Sequence, residues 1–170
     1  MIKIRGFTLV EMLVVLAIIG TLAGIGYPLT RSFIARSREA ACLDKLRSLG
    51  VALQSYLQEH GDTMPELATA RASKTDQPPV LETALLPYLE TPDAFHCPAD
   101  NKQFAKTGSS YLWNSTQNGR PVSQLSFFGI KGRPEKIPLI TDKEAWHPGG
   151  TNFLYADLSS SNKPRFAAGN

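Results

Sequence analysis

The amino-terminal part of the chain contains a long apolar run that includes a single carboxylate. Between Phe7 and Leu29 the only charged residue is Glu11, and the part from Met12 to Leu29 is free of charge. A helix of about 20 such residues can cross the roughly 30 Å apolar core of a bilayer. A carboxylate beside hydrocarbon is costly unless it has a partner. The sequence therefore predicts a membrane-spanning helix in which Glu11 must be satisfied by another group.

Basic residues precede this run and predict its orientation. Lys3 and Arg5 should hold the amino terminus in the cytoplasm and place everything after Leu29 on the other side of the membrane. A conventional secretory signal has a shorter apolar region, of about 7 to 15 residues, followed by an A-x-A-like site. No such site follows the run before Ala35. The segment thus favours a single-pass anchor over a conventional cleaved signal.

A helical pattern continues beyond the apolar run. Apolar residues recur at steps of three and four, with charged residues on the other faces, which predicts an amphipathic helix that ends near Gly61. The whole helix would have about 50 residues and a length of about 75 Å. Pro28 removes one backbone hydrogen bond within it, so we predict either a tolerated kink or a segment that bends on assembly. The apolar face consists of Leu43, Leu46, Leu49, Gly50, Leu53, Tyr56 and Leu57.

The remainder of the chain predicts a small head that contains β structure. Residues 66–80 lack periodicity and indicate a loop, and residues 81–89 indicate a short helix interrupted by Pro87. A hairpin is predicted around Asn118-Gly119, with two further strands within 136–142 and 152–158. The fold class is α+β, a long helix packed on a small antiparallel sheet. The predicted divisions are 1–6 (leader), 7–29 (membrane helix), 30–61 (exposed helix half), 62–160 (head) and 161–170 (flexible tail).

Composition and motifs exclude several functional classes. The net charge of +3 is not concentrated in a basic cluster, so nucleic-acid binding is not predicted. His60, His96 and His147 are the only histidines, and none belongs to a nucleophile motif. No glycine-rich phosphate loop occurs. The sequence therefore does not predict an enzyme.

Two explanations account for Glu11. Thr8 to Glu11 fits the S/T-x-x-E capping box, in which the carboxylate satisfies an amide of its own helix start. The longer stretch GFTLVEMLVVLAIIG, after a basic leader, resembles the class III signal of the type IV pilin and type II secretion pseudopilin superfamily. That resemblance implies cleavage between Gly6 and Phe7 by a prepilin peptidase, followed by N-methylation of Phe7. It also implies that Glu11 neutralises the amino terminus of a neighbouring filament subunit.

Other parts of the chain resemble the same superfamily. Pro28 falls where pilin helices often have a kink-forming proline. The stretches FHCPAD and SYLWN, and the segment from His147 to Asp157, resemble pseudopilin-like proteins with a carboxy-terminal H-x9-D-G motif. Leu158 stands where that subgroup has glycine, so the match does not extend to a turn that requires glycine.

The carboxy-terminal half offers candidate metal ligands. His147 and Asp157 flank a loop, and Asp142, Asn152 and Asp157 could supply oxygen ligands. Resemblance to the major pseudopilins suggests calcium. However, EF-hand spacing is absent, and these side chains could instead bond loop amides. Both interpretations stay open, and no other cofactor is predicted.

Cys42 and Cys97 are the only cysteines. Both would lie outside the cytoplasm, where disulfides persist, so we predict that they are bonded. The alternative is a pair of buried free thiols. A bond would tie the head to the helix across a long loop and contribute about 2 to 4 kcal/mol.

The resemblance implies a pseudopilin, a structural subunit of a periplasmic filament that drives type II protein secretion. Its implied partners are copies of itself, other pseudopilins, a prepilin peptidase and an inner-membrane assembly platform. It would reside in the inner membrane with its carboxy-terminal domain in the periplasm. One alternative is a type IV pilin or competence-pilus subunit for adhesion, motility or DNA uptake. Another is a single-pass membrane protein with a binding head that does not polymerise.

Overall fold

One long helix, α1 (Leu9–Glu59), dominates the computed structural model, which describes residues 7–166 apart from the side chains of 25, 26 and 28. Its 51 residues confirm the predicted length. Gly61 and Asp62 follow it with φ values of +60° and +56°, so the chain leaves the helical conformation there. Pro28 lies within the bounds of α1, but its side chain is outside the described part. The predicted kink therefore stays a prediction.

The second half of α1 packs on the head. It does so through Cys42, Leu46, Leu49, Leu53 and Leu57, which are all buried. These positions recur at steps of three and four, as an amphipathic helix requires. The predicted apolar face of this half is therefore the face that contacts the core.

Gly50 lets α1 approach the sheet closely. A Cβ atom at Gly50 would lie 3.2 Å from Leu154 Cδ1, which is tighter than ordinary contact. The helix therefore rests directly on the strand that contains Leu154.

Within residues 7–166, six short strands form two sheets in the head. They are β1 Tyr111–Trp113, β2 Ser126–Phe127, β3 Ile130–Lys131, β4 Pro138–Asp142, β5 Phe153–Tyr155 and β6 Ser160–Ser161. The central antiparallel sheet has the strand order β1-β4-β5-β6, and a separate two-stranded sheet pairs β2 with β3. The buried aromatic residues Tyr111, Trp113 and Tyr155 lie on strands of the larger sheet. The structure thus confirms the α+β class.

Short helices cover the remaining head. Helix α2 (Leu81–Leu85) continues into a 3-10 turn that contains Pro87, which agrees with the predicted interrupted helix. Helix α3 (Gln103–Thr107) was not predicted, because five residues are too few to establish a periodicity. The 3-10 segments are Leu86–Tyr88, Pro92–Phe95, Ser115–Gln117, Val122–Gln124 and Pro134–Lys136.

The predicted hairpin at Asn118-Gly119 is wrong. Asn118 has φ −51°, whereas a type I′ turn requires positive φ at both central residues. Its side chain accepts a hydrogen bond from Trp113 Nε1 and donates one to the Leu67 carbonyl. The short hairpin instead turns at Phe128-Gly129, where φ is +44° and +82°. Long-range side-chain bonds thus override the local turn signal.

Part of the predicted flexible tail packs on the sheet instead. Ser161 belongs to β6, and the Phe166 ring packs edge-to-face on Phe127 and Phe153. Tyr155 Oη donates a hydrogen bond to the Lys163 carbonyl. Residues 161–166 therefore cover the sheet, and residues 167–170 lie outside the described part.

The turn between β5 and β6 has Leu158 in a left-handed conformation. The φ of Leu158 is +62°, and the three residues 156–158 connect Tyr155 to Ser159. Glycine is favoured at this position of a three-residue hairpin loop. The turn at the H-x9-D-G position is thus formed with leucine in place of glycine.

We expect Leu158→Gly to be more stable than Leu158→Ala by about 1 kcal/mol. The left-handed conformation costs a residue with a Cβ atom about 1–2 kcal/mol, partly offset by the greater unfolded-state entropy of glycine. Both variants lose the leucine side chain, so their comparison isolates the backbone effect. Urea denaturation of the full chain in detergent micelles measures it, and equal midpoints would contradict the prediction.

Candidate functional site

The first half of α1 presents an uncovered apolar surface. Its most apolar stretch of 18 residues is not buried at all against the described chain. By length and composition α1 could cross a membrane, although a signal sequence near an amino terminus has the same properties. The large apolar side chains exposed between Leu9 and Ile34 are Leu9, Val10, Met12, Leu13, Val14, Val15, Leu16, Ile18, Ile19, Leu22, Tyr27, Leu29, Phe33 and Ile34.

Glu11 forms a capping box with Thr8 at the start of this surface. The Thr8 backbone N–H and hydroxyl each donate a hydrogen bond to Glu11 Oε2 at 2.8 Å. The Glu11 N–H donates in return to Thr8 Oγ1 at 3.3 Å. Glu11 Oε1 makes no hydrogen bond within residues 7–166, and the residue is exposed. The local partner therefore occupies one carboxylate oxygen and leaves the other accessible.

Phe7 lies immediately before this capping box. It is exposed and outside the helix. Gly6 and the rest of the leader are outside the described residues. The cleavage between Gly6 and Phe7 and the methylation of Phe7 stay predictions.

A disulfide joins Cys42 of α1 to Cys97 of the head. Both cysteines are buried, and the Cys97 N–H donates a hydrogen bond to Ser110 Oγ at 3.0 Å. The bond spans a sequence separation of 55 residues, so it fixes the second half of α1 to the segment that follows Pro92–Phe95.

The candidate calcium ligands do not form one cluster. The Asn152 N–H donates to Asp142 Oδ2 at 2.8 Å, so these two residues are neighbours near the start of β5. Asp157 follows the other end of β5, where it accepts hydrogen bonds from Ser159 and lies 3.9 Å from Arg165 Nη1. The structure therefore gives Asp157 a role in the β5–β6 turn, which is the alternative that the sequence left open.

Asp142 is a buried acid. Burial raises the pKa of Asp142 above its usual value, and the contacts with His147 and the Asn152 amide only partly oppose this shift. His147 Nε2 lies 3.4 Å from Asp142 Oδ2 and 3.4 Å from Cys97 Sγ. The histidine of the H-x9-D-G resemblance thus contacts the disulfide, a juxtaposition that the linear sequence did not predict.

Asp100, in the FHCPAD stretch, organises the loop beside the disulfide. Its Oδ1 accepts hydrogen bonds from the Lys102 and Gln103 amides, and its Oδ2 accepts from the Phe104 amide and Ser110 Oγ. Burial acts to raise the pKa of Asp100, but these four hydrogen bonds outweigh it and hold the pKa below its usual value. Because Ser110 also bonds the Cys97 amide, Asp100 supports the disulfide segment.

We expect Asp100→Asn to destabilise the head by about 2 kcal/mol at pH 7, because an amide group would face donors that now meet a carboxylate oxygen. Because the pKa of the Asp100 carboxyl is lower in the folded state, its ionised form stabilises that state at pH values above the unfolded-state pKa of about 3.9. This contribution is lost as the pH falls through the folded-state pKa. The difference in free energy of unfolding between wild type and Asp100→Asn should therefore decrease below about pH 4. Urea denaturation at about pH 7 and about pH 3 measures it.

Asp44→Asn, on the exposed face of α1, is the control. It should change the free energy of unfolding little at either pH. A pH-independent cost of Asp100→Asn would contradict the proposed electrostatic role.

The amino terminus matches known sequences. Residues 1–27 match the family model described as the prokaryotic N-terminal methylation motif. The chain is 44% identical to the type IV major pilin protein PilA of Myxococcus xanthus over 55 residues, 32% of this chain and 25% of the relative. It is 38% identical to the type IV major fimbrial protein FimA of Dichelobacter nodosus over 66 residues, 39% and 41% of the two chains. No solved structure matches.

A third relative is the fimbrial protein of Pseudomonas aeruginosa, 33% identical over 72 residues, 42% of this chain and 46% of the relative. The chain thus spans less than half of the length of these relatives. The exposed apolar helix has a methylation motif at its start and ends in a disulfide-bonded head. These features together define a membrane-anchored protein with one long helix and a globular head. The motif and the relatives thus make the amino-terminal part of this chain similar to type IV pilins and fimbrial proteins.

Proposed function

We propose that this chain is a filament subunit that polymerises through the exposed half of α1. The observation that carries the proposal is the apolar surface of α1, which the globular head does not cover. Glu11 lies at the amino-terminal end of this surface, within the methylation motif. In a membrane, lipid covers this surface. In a filament, the same half of neighbouring subunits replaces the lipid.

Glu11 selects the register of that assembly. Cleavage before Phe7 creates a charged amino terminus, and the accessible Oε1 of a neighbour's Glu11 can accept its hydrogen bond while Oε2 keeps the capping box. Two opposite charges about 4 Å apart attract by about 1 kcal/mol in water and about 4 kcal/mol at an effective dielectric constant of about 20. An unpaired carboxylate inside the filament would be costly. Capping and pairing between subunits are therefore compatible roles of one carboxylate.

Before assembly, the subunit would reside in the inner membrane with its head in the periplasm. Lys3 and Arg5 favour this orientation, and the Cys42–Cys97 disulfide is of the kind that persists outside the cytoplasm. A prepilin peptidase would cut and methylate the chain, and an inner-membrane assembly platform would add it to the filament. No nucleic-acid partner is required.

The system we propose is type II protein secretion, in which a short periplasmic filament of pseudopilins moves substrates outward. Support comes from the head, whose FHCPAD stretch and His147-to-Asp157 segment resemble pseudopilin-like proteins. A surface type IV pilus is the second candidate. It is favoured by the relatives, which are named type IV major pilin and fimbrial proteins.

Intact mass and amino-terminal sequencing of the protein from native membranes test the filament proposal. A chain that starts at methylated Phe7 is the expected result. An intact Met1 would overturn the proposal, because the charge that Glu11 is to pair with would not be created at that position.

Deletion of the gene distinguishes the two systems. If the proposal is right, the mutant should accumulate secreted proteins inside the cell while its surface pili remain. Normal secretion with loss of surface pili would instead favour the pilus subunit. Complementation with the wild-type chain controls for effects on neighbouring genes.

A further inference from the structure

The disulfide lies within a cluster of potential metal ligands. The two sulfurs and one imidazole nitrogen of Cys42, Cys97 and His147 lie within 4.8 Å of one another, and all three residues are buried. The carboxylate oxygen Oδ2 of Asp142 is 3.4 Å from His147 Nε2. Two sulfurs and one nitrogen thus converge, and the Asp142 oxygen adjoins them on the side of the imidazole.

The disulfide by itself does not explain why the polar residues His147 and Asp142 are buried beside it. His147 Nδ1 and Asp142 Oδ1 are buried without a hydrogen-bond partner within residues 7–166. Leaving a polar group in that state costs about 1–3 kcal/mol. Apolar side chains would pack against a disulfide without that cost. The atoms of these residues that face the sulfur are His147 Nε2, 3.4 Å from Cys97 Sγ, and Asp142 Oδ2, 3.4 Å from that nitrogen, so a second state in which both residues bind a cation would explain why they are there.

We propose that the reduced head binds one divalent zinc-type cation through Cys42, Cys97, His147 and Asp142. The set of two thiolates, one imidazole and one carboxylate gives the four ligands of a tetrahedral zinc site. The metal would hold α1 to the head where the disulfide holds it in the oxidised state. The two crosslinks are mutually exclusive, because each uses both sulfurs.

Reduction and metal binding are separate steps of the exchange between the two states. A dithiol reductant donates two electrons and two protons to the disulfide, which becomes two thiols while the reductant becomes a disulfide. Metal binding then displaces both thiol protons, so two protons are released per cation. Since zinc does not change its oxidation state, no further electron donor or acceptor is needed.

Atoms must move to form the site, because the two sulfurs are bonded and Asp142 lies beside the imidazole rather than within the three-residue cluster. Zinc lies about 2.3 Å from sulfur and about 2.0–2.1 Å from nitrogen, so once the disulfide is broken the sulfurs must separate around the ion. The imidazole is already 3.4 Å from Cys97 Sγ. Because the site is buried, the reduced chain should take up the metal during refolding, when its ligands are accessible.

Cobalt is the first probe, because thiolate coordination gives it a strong charge-transfer absorption that zinc then abolishes by displacement. The full chain in detergent micelles is unfolded, reduced with a dithiol, freed of reductant without air and refolded with Co²⁺. We expect one cobalt per reduced wild-type chain and none in the oxidised chain. A reduced wild type without the thiolate band would overturn the proposal.

His147→Gln tests the imidazole, and His96→Gln is the matched control. His96 lies outside the cluster, where it stacks on Phe104. We expect His147→Gln to lower zinc affinity at least about tenfold, since even residues outside the ligand set commonly contribute that much. His96→Gln should leave the affinity unchanged. Equal affinity in wild type and His147→Gln would contradict the assigned ligand.

Asp142→Asn keeps the test decisive if His147→Gln does not refold. It preserves the side-chain volume, and near-UV circular dichroism from buried Trp113 reports whether the head has formed. Weaker zinc binding by a folded Asp142→Asn head supports the site. Unchanged binding would remove Asp142 from it and overturn the four-ligand proposal.

Discussion

Cells that express Glu11→Ala should cleave and methylate the chain normally yet fail to incorporate it into filaments. The substitution leaves a neighbour's amino terminus without its counter-charge in an apolar environment. Removing one partner of a buried ion pair costs about 3–5 kcal/mol, which lowers incorporation roughly a hundredfold or more. Crosslinking of the variant together with a tagged wild type measures this. Normal incorporation would contradict the role of Glu11 in assembly.

Thr8→Val separates assembly from helix capping. It removes the hydroxyl that bonds Glu11 in the capping box but retains the carboxylate. We expect at most a loss of about 1 kcal/mol in helix stability, with assembly retained. If Thr8→Val abolishes incorporation as completely as Glu11→Ala does, helix capping is the main function of Glu11.

Local sequence patterns predicted the helix well, because the interactions that form it are local. The steps of three and four that include Leu46, Leu53 and Leu57 predict one buried face, and the structure buries it. Thr8 and Glu11 form the capping box because both residues lie within one helical turn. Gly61 predicted the end of α1 closely, since the helix ends at Glu59.

The sheet was harder to predict, because its contacts connect distant residues. Strand β1 pairs with β4, with Tyr111 opposite Asp142 and Trp113 opposite Ile140, rather than with the segment after Gly119. The Asn-Gly signal failed because the Asn118 side chain bonds Trp113 and the Leu67 carbonyl. No local pattern reports such contacts, so the partner of β1 could not be read from the turn.

The buried cluster could be predicted only in part. The compartment of the head suggested a bond between Cys42 and Cys97, and the loop around His147 suggested a metal site. Their meeting depends on how the loop after β4 folds over α1, which is a tertiary contact. Burial, and not sequence spacing, then gives Asp142 its raised pKa.

Replacing both cysteines in Cys42→Ala/Cys97→Ala should destabilise the head by about 2–5 kcal/mol. The disulfide closes a loop with a sequence separation of 55, for which the chain-entropy model gives about 4 kcal/mol. Urea denaturation of the full chain in detergent micelles, followed by the fluorescence of buried Trp113, measures the loss. The apolar half of α1 should stay helical, because the head does not cover it.

Two controls assign this loss to the crosslink. The single variant Cys42→Ala should lose nearly as much stability as the double variant, since either substitution removes the bond. Reduced wild type kept free of metal by a chelator should match them, whereas reduced wild type refolded with zinc should recover part of the difference if the metal site exists. A reduced, metal-free wild type as stable as the oxidised chain would show that packing of α1 on the sheet, rather than the disulfide, holds the head in place.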